Sequence, residues 1–287
     1  MTKKVRYCLL SSLLIAVLIL SGIGIYRLAS PSDDRNASGY PIKEIPLESQ
    51  TGNESAIIPP WEEMTNGMRF PYLFYEGIEY SGGNIIPKGK TYLGGALGKV
   101  SVSAEDLQSG KTYTEEATVH TITGVSTECS LALCFANDEN AYVYNNSLYR
   151  PETLSDLVTD LNLESYLSFG YIYDEQSSDN VRFEYDSAVF LWQMLLIDNL
   201  SAKAVDVTAE ETFAGRLLSV AIDIPVLGYR NISLAVTKEG YLSTNILNTG
   251  KSFYIGKEKV DAFVSYVKEN CDGYRIVYIG GTDPIPE

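Results

Sequence analysis

The sequence predicts an α+β protein: an N-terminal transmembrane helix, then an extracytoplasmic domain in which an antiparallel sheet packs with about three helices. Three observations carry that expectation. Residues 8–26, CLLSSLLIAVLILSGIGIY, hold no charge. Residues 217–247 contain three adjacent runs of period-two hydrophobicity, as expected of a sheet with one packed face. Helical spacing recurs after Pro151, around 187–199 and across 257–270.

The apolar stretch from Cys8 to Tyr26 spans roughly 28 Å as a helix, close to the hydrocarbon thickness of a bilayer. Lys3, Lys4 and Arg6 precede it, and only Arg27 follows closely before Asp33 and Asp34. That imbalance predicts residues 1–7 as a cytoplasmic tail and a single-pass protein in the cell membrane with its main domain outside. A cleaved signal peptide is the rival. Gly22 and Gly24 supply small residues, but Arg27 stands where an Ala-x-Ala site before Ala29 needs another. The length of the apolar run favours the uncleaved anchor, and either reading exports the rest of the chain.

Net charge excludes one class of partner. The chain carries 22 bases and 37 acids, −15 overall. Lys3, Lys4, Arg6 and Arg27 are the only charged residues before residue 28, so the remainder has 18 bases against 37 acids, or −19. Such a surface repels phosphate backbones, and no nucleic acid is expected as a partner.

Residues 27–60, rich in Ser, Pro, Asn and Asp, read as a flexible linker, and 61–287 as the folded domain, with 61–150 and 151–287 as candidate subdomains. From residue 70, strands alternate with Gly-rich turns, and Glu76-Gly77 is placed to close a hairpin. Further strands are expected over 117–125, 130–136 and 141–145. Leu154, Leu157, Val158 and Leu161 give one helix begun by Pro151. Residues 187–199, with Asp186 as cap, leave almost no polar face and predict a central core helix. The runs 217–224, 230–238 and 241–247 form a meander that turns at Glu239-Gly240. Val260, Phe263, Val264 and Val267 then mark a helix over 257–270, and 274–279 a last strand.

The candidates for chemistry are weak. Gly89-Lys90-Thr91 and Gly250-Lys251-Ser252 resemble the end of a phosphate loop, yet Asn84 and Asn245 occupy the position that needs glycine. Ser265-x-x-Lys268 comes after the Ser178-Asp179-Asn180 fragment, the reverse of the order in serine acyl-enzymes. His120, the single histidine, sits in a strand-like run. No calcium or zinc spacing occurs, so no catalytic residue, metal or cofactor is expected. Cys129 and Cys134 are expected on opposite faces of a strand. A link from either to Cys271 stays open, with buried free thiols favoured.

Recognition surfaces are better supplied. Twenty-one tyrosines exceed what a core needs, although tyrosine also favours strands. Tyr72, Tyr75, Tyr80, Tyr92, Tyr241 and Tyr254 are the ones singled out. NIIPKGKTY at 84–92 and NILNTGKSF at 245–253 echo each other, which the same turn arising twice explains better than a duplication. Together these nominate Asn84, Lys90, Tyr92, Tyr241, Asn245, Lys251 and Tyr254 as a binding surface.

The stretches YVYNNSLYRPETLSDLVTDLNL (142–163) and LGYRNISLAVTKEGYLSTNILNTGKSFYIGKEKVDAF (227–263) resemble a group of exported or membrane-anchored Gram-positive proteins with no assigned activity. The resemblance implies export and lends no residue a role. The expectation is a membrane-anchored extracytoplasmic binding or sensing module without catalysis, its partner an extracytoplasmic protein or a glycan. The alternatives are a cell-envelope hydrolase using a carboxylate pair and a structural partner of another membrane protein.

Overall fold

The computed structural model describes residues 39–46, 59–207, 215–249 and 251–279. The first sheet is built outward from a hairpin. Strands β2 (Tyr72–Tyr75) and β3 (Ile78–Ile85) are joined by Glu76 and Gly77, at φ 49° and 85°. Two positive φ angles in a two-residue loop match the right-handed twist of the flanking strands, as the sequence predicts for this turn. With β4 (Leu93–Glu105), β5 (Thr112–Ile122), β6 (Ser130–Phe135) and β7 (Tyr142–Asn145), they form a sheet of order β2-β3-β7-β6-β5-β4. Its two edges approach each other: a Cβ on Gly98 of β4 would lie 3.8 Å from the Tyr75 hydroxyl of β2. The sheet is a near-barrel, filled by Leu73, Tyr80, Leu131, Leu133, Tyr142 and Tyr144 and closed by Trp61 and Phe70.

Strand alternation explains why this part resists a one-face description. Leu131, Leu133 and Phe135 point into the near-barrel, while Ala132 and Val143 join the larger core outside it. Both faces of β6 and β7 are therefore apolar. Beside β3, Gly67 and Gly83 meet so closely that a Cβ on Gly67 would lie 1.9 Å from the Gly83 carbonyl oxygen, which only glycine permits.

The second sheet has nine strands in the order β1-β15-β9-β8-β11-β12-β13-β14-β10. They are β1 (Ile42–Pro46), β8 (Ser168–Asp174), β9 (Val181–Glu184), β10 (Ala204–Asp206), β11 (Arg216–Ile224), β12 (Tyr229–Thr237), β13 (Tyr241–Thr244), β14 (Lys251–Tyr254) and β15 (Asp272–Ile279). Every pairing is antiparallel except β1 with β15. Leu218, Val220, Leu234, Val236, Leu242 and Phe253 form its packed face and belong to the larger core. The meander and the final strand thus lie where the hydrophobic period put them, except that β13 ends at Thr244 and Ile246–Asn248 form a 3₁₀ turn instead of continuing the strand to Leu247. Strand β1 falls inside the segment read as linker, because its pairing partner, not its own sequence, makes it a strand.

The helices depart most from expectation. Among the described residues they are α1 (Asn66–Arg69), α2 (Gly89–Tyr92), α3 (Leu154–Asp160), α4 (Leu163–Tyr166), α5 (Val189–Leu191) and α6 (Lys257–Asn270). Only α6 matches its predicted length, burying Val260, Phe263 and Val267. Helix α3 starts at a Thr153 cap, reciprocated by Asp156, and leaves Pro151 outside. The expected core helix over 187–199 is α5, then a π-helical turn Trp192–Leu196 and a 3₁₀ turn Ile197–Asn199. Asp186 caps nothing, and Val189 and Ile197 are exposed. An α+β domain with three packed helices is therefore corrected to a mostly β protein of two sheets, one nearly closed.

Among the described residues no helix is long and apolar enough to cross a membrane. The predicted span from Cys8 to Tyr26 lies outside them. Cys129, Cys134 and Cys271 form no disulfide. Cys129 precedes β6 instead of lying in it, so it packs on the same side as Cys134, against the larger core.

Candidate functional site

The β13–β14 pairing brings two of the nominated residues together. Tyr241 opens β13 and Tyr254 closes β14, and the two are register partners. Their side chains therefore leave the same face of the sheet, with ring centroids 5.4 Å apart and planes at 65°. The turn before β13 fixes this end. Gly240, at φ 94°, accepts hydrogen bonds from the Ile255 and Gly256 amides at 2.9 and 3.1 Å. A Cβ on Gly240 would lie 2.8 Å from the Gly256 carbonyl carbon, so glycine is required there.

Tyr241 and Tyr254 line an open cleft of about 610 Å³ with Asn199, Ser201, Ala202, Lys203, Val205, Ile255 and Lys259. Lys259 reaches in from the first turn of α6. Its Nζ donates to the Asp198 carbonyl at 2.7 Å and to Asn199 Oδ1 at 2.9 Å. Asn199 in turn donates to the Met194 and Leu195 carbonyls, so this wall is tied to the helical turns behind it. Lys203 is exposed at the start of β10. Among the described residues no carboxylate lines the cleft.

The other nominated residues lie apart. Lys251 sits on β14 with its Nζ 2.7 Å from Asp206 and does not line the cleft. Asn245 is exposed beyond β13, its carbonyl accepting from the Asn248 amide. Asn84, on β3, abuts Gly228, where an added Cβ would come within 2.6 Å of its Nδ2. Tyr92 packs edge-on against Tyr166, with ring centroids 5.6 Å apart. The Lys90 side chain lies outside the described part of the structure. The two echoing stretches adopt different structures: 89–92 is helical, whereas 251–254 is a strand. Asn199, Ser201, Lys203 and Lys259 escaped the sequence reading, since three lie in the short turn 199–203, which carries no motif, and the fourth is 56 residues beyond it.

A second cleft of about 550 Å³ is lined by Phe169, Gly170, Tyr171, Phe183, Glu184, Tyr185, Asp186 and Asp272. Here the charge is negative. Lys43 donates to Glu184 at 2.7 Å and holds its carboxyl below the usual range, by the hydrogen bond more than by charge alone. Burial, then the charges of Asp272 and Asp186, pushes up the neighbouring Cys271 thiol. Burial also raises the Tyr185 hydroxyl, which donates to the Gly170 carbonyl. Beside this cleft the Arg182 guanidinium lies 5.4 and 4.7 Å from the Tyr171 and Tyr173 ring centroids.

The remaining sequence candidates have structural roles. His120 is a β5 residue with Nδ1 3.4 Å from the Gly94 carbonyl. Lys268, on α6, lies 3.4 Å from Asp174. Among the described residues no three His, Cys, Asp or Glu side chains group closely enough to hold a metal ion. Compared with known proteins, the chain matches no protein family, no curated protein and no solved structure.

Proposed function

We propose that this chain is a membrane-anchored extracytoplasmic module that binds or senses a ligand without transforming it, and that the ligand seats in the Tyr241–Tyr254 cleft. The observation that carries the proposal is the register pairing of two tyrosines over an open cavity of ligand size. Tyrosine combines a broad apolar ring with a hydrogen-bonding tip, and its two torsions lose little freedom on contact. Tyr254 is 52% exposed, so its ring is available to a ligand. The amide, hydroxyl and ammonium groups around it supply the few polar contacts that orient the bound molecule.

The hydrolase alternative would have to use the second cleft, where three carboxylates gather. A glycosidase acid needs a raised pKa. Glu184 is displaced the other way. That direction disfavours Glu184 as the proton donor of such a pair, and its bond to Lys43 would have to open before it met a substrate.

The experiment has two arms on the full chain. With an epitope at its C-terminus, protease added to intact cells removes the tag under this reading, and a protected tag contradicts the export. The detergent-solubilised chain is then melted with a panel of cell-envelope saccharides and peptides. At least one member raises the melting midpoint, and Tyr254→Ala abolishes that rise. A midpoint that no panel member moves, or a rise that survives Tyr254→Ala, contradicts binding in this cleft.

A further inference from the structure

The charge of the first cleft runs against that of the protein, and this points to a class of ligand. Among the described residues, Lys43, Lys238, Lys251 and Lys268 each lie within ion-pair distance of a carboxylate. Lys203 and Lys259 do not, nor do Lys88, Lys99, Lys111 and Lys257; what sets the first two apart is that they share one cleft. Lys259 donates only to a backbone carbonyl and an amide oxygen, which orient its ammonium without neutralising it. Lys203 is exposed at the cleft rim. In a chain of 37 acids and 22 bases, two cations share one cavity wall to which no acid among the described residues contributes. Two tyrosine rings stand beside them.

We infer that this cleft binds an acidic glycan, a pyranose packing on the Tyr254 ring while its carboxylate or phosphate substituent meets Lys203 and Lys259. The inference rests on the binding reading above and adds the ligand class. A tyrosine face suits the apolar C–H face of a sugar ring. A cation pair left without an acid favours an anionic substituent. An extended peptide is the competing occupant, and it would bind by extending the sheet past β10. That edge is already occupied. Residues 152–154 run along it: Thr153 bridges Lys203, the Ala204 amide donates to the Glu152 carbonyl at 2.8 Å, and the Leu154 amide to the Ala202 carbonyl at 2.9 Å. Strand addition beside Lys203 therefore finds the outward backbone groups of 202–204 already taken.

The test titrates the full chain in detergent with an oligogalacturonate, with the same oligomer methyl-esterified, with polyglutamate and with inorganic phosphate. The free-acid oligomer binds. Esterification, which keeps the ring and removes the charge, weakens binding about tenfold, and so does raising salt from about 50 to about 500 mM. Lys203→Gln weakens the acid form several-fold and leaves the ester unchanged, whereas Tyr254→Ala weakens both. Acid and ester binding equally, both lost in Tyr254→Ala, overturns the charge inference while the cleft stands as a binding site. Binding of either that Tyr254→Ala leaves intact overturns the cleft itself. Polyglutamate binding more tightly, phosphate competing as well as the oligomer, or neither oligomer binding at millimolar concentration each overturns the assignment to an acidic glycan.

Discussion

The two clefts of the nine-stranded sheet are alike in size, about 610 and 550 Å³, and both are edged by tyrosine, yet their charges are opposite. One gathers Lys203 and Lys259 without an acid, and the other gathers Glu184, Asp186 and Asp272. A net charge of −15 describes neither. Local charge is decided by strand alternation: Asp206 shares the face of its partner Lys251, opposite the one on which Lys203 and Val205 line the first cleft. The contrast teaches that local charge follows from which face each side chain takes, and that net charge does not report it.

The largest test of this contrast removes the support under each cleft. Phe253 lies on the packed face beneath Tyr254, and Phe183 forms the inner wall of the second cleft. Either change to alanine destabilises the chain by about 3–5 kcal/mol, measured by denaturant unfolding. Ligand binding per folded molecule falls only for Phe253→Ala. Next in size, Tyr254→Ala lowers affinity about tenfold in a binding titration and leaves stability within about 0.5 kcal/mol, because the ring is already half exposed.

A smaller effect reads the field of the second cleft. Cys271 has its thiol pushed up by burial and then by Asp272 and Asp186. Asp272→Asn lowers that pKa, raises the thiolate fraction and speeds alkylation of Cys271 about two- to threefold at mildly alkaline pH. Lys203→Gln leaves the rate unchanged. Cys129, pushed up to about 12 chiefly by burial, stays unlabelled in the folded chain. The smallest effect concerns Lys43 and Glu184. A carboxyl held below its unfolded value of about 4.3 adds stability above that pH, and the contribution is lost as pH falls through the folded value. Both side chains are about half exposed, so screening limits the effect to less than about 1 kcal/mol. Acid unfolding of Lys43→Gln lacks this component.

The sequence made some of this legible and concealed the rest for identifiable reasons. Strands β11 and β12 were readable because Leu218, Val220, Leu234 and Val236 alternate with small or polar residues. The pairing of Tyr241 with Tyr254 was not legible, because β14 is four residues long, shows no period, and follows the 3₁₀ turn Ile246–Asn248. The near-barrel was hidden because β6 and β7 are buried on both sides and show no period. Residues 187–199 misled in the other direction. Their apolar run suggested a long core helix, but the chain changes helical type twice and turns Val189 and Ile197 outward. The lysines of the first cleft were unreadable because Lys203 and Lys259 are 56 residues apart and meet only through the packing of α6 on the turn at 197–199.

The central claim is that the positively lined cleft, and not the acidic one, receives the ligand. Carbon-labelled tyrosine resonances of the full chain, followed while oligogalacturonate is added, test it most directly. The ring signals of Tyr241 and Tyr254 move with a single saturating curve while those of Tyr171 and Tyr185 stay in place. Movement of the Tyr171 and Tyr185 signals with Tyr241 and Tyr254 unmoved would contradict it.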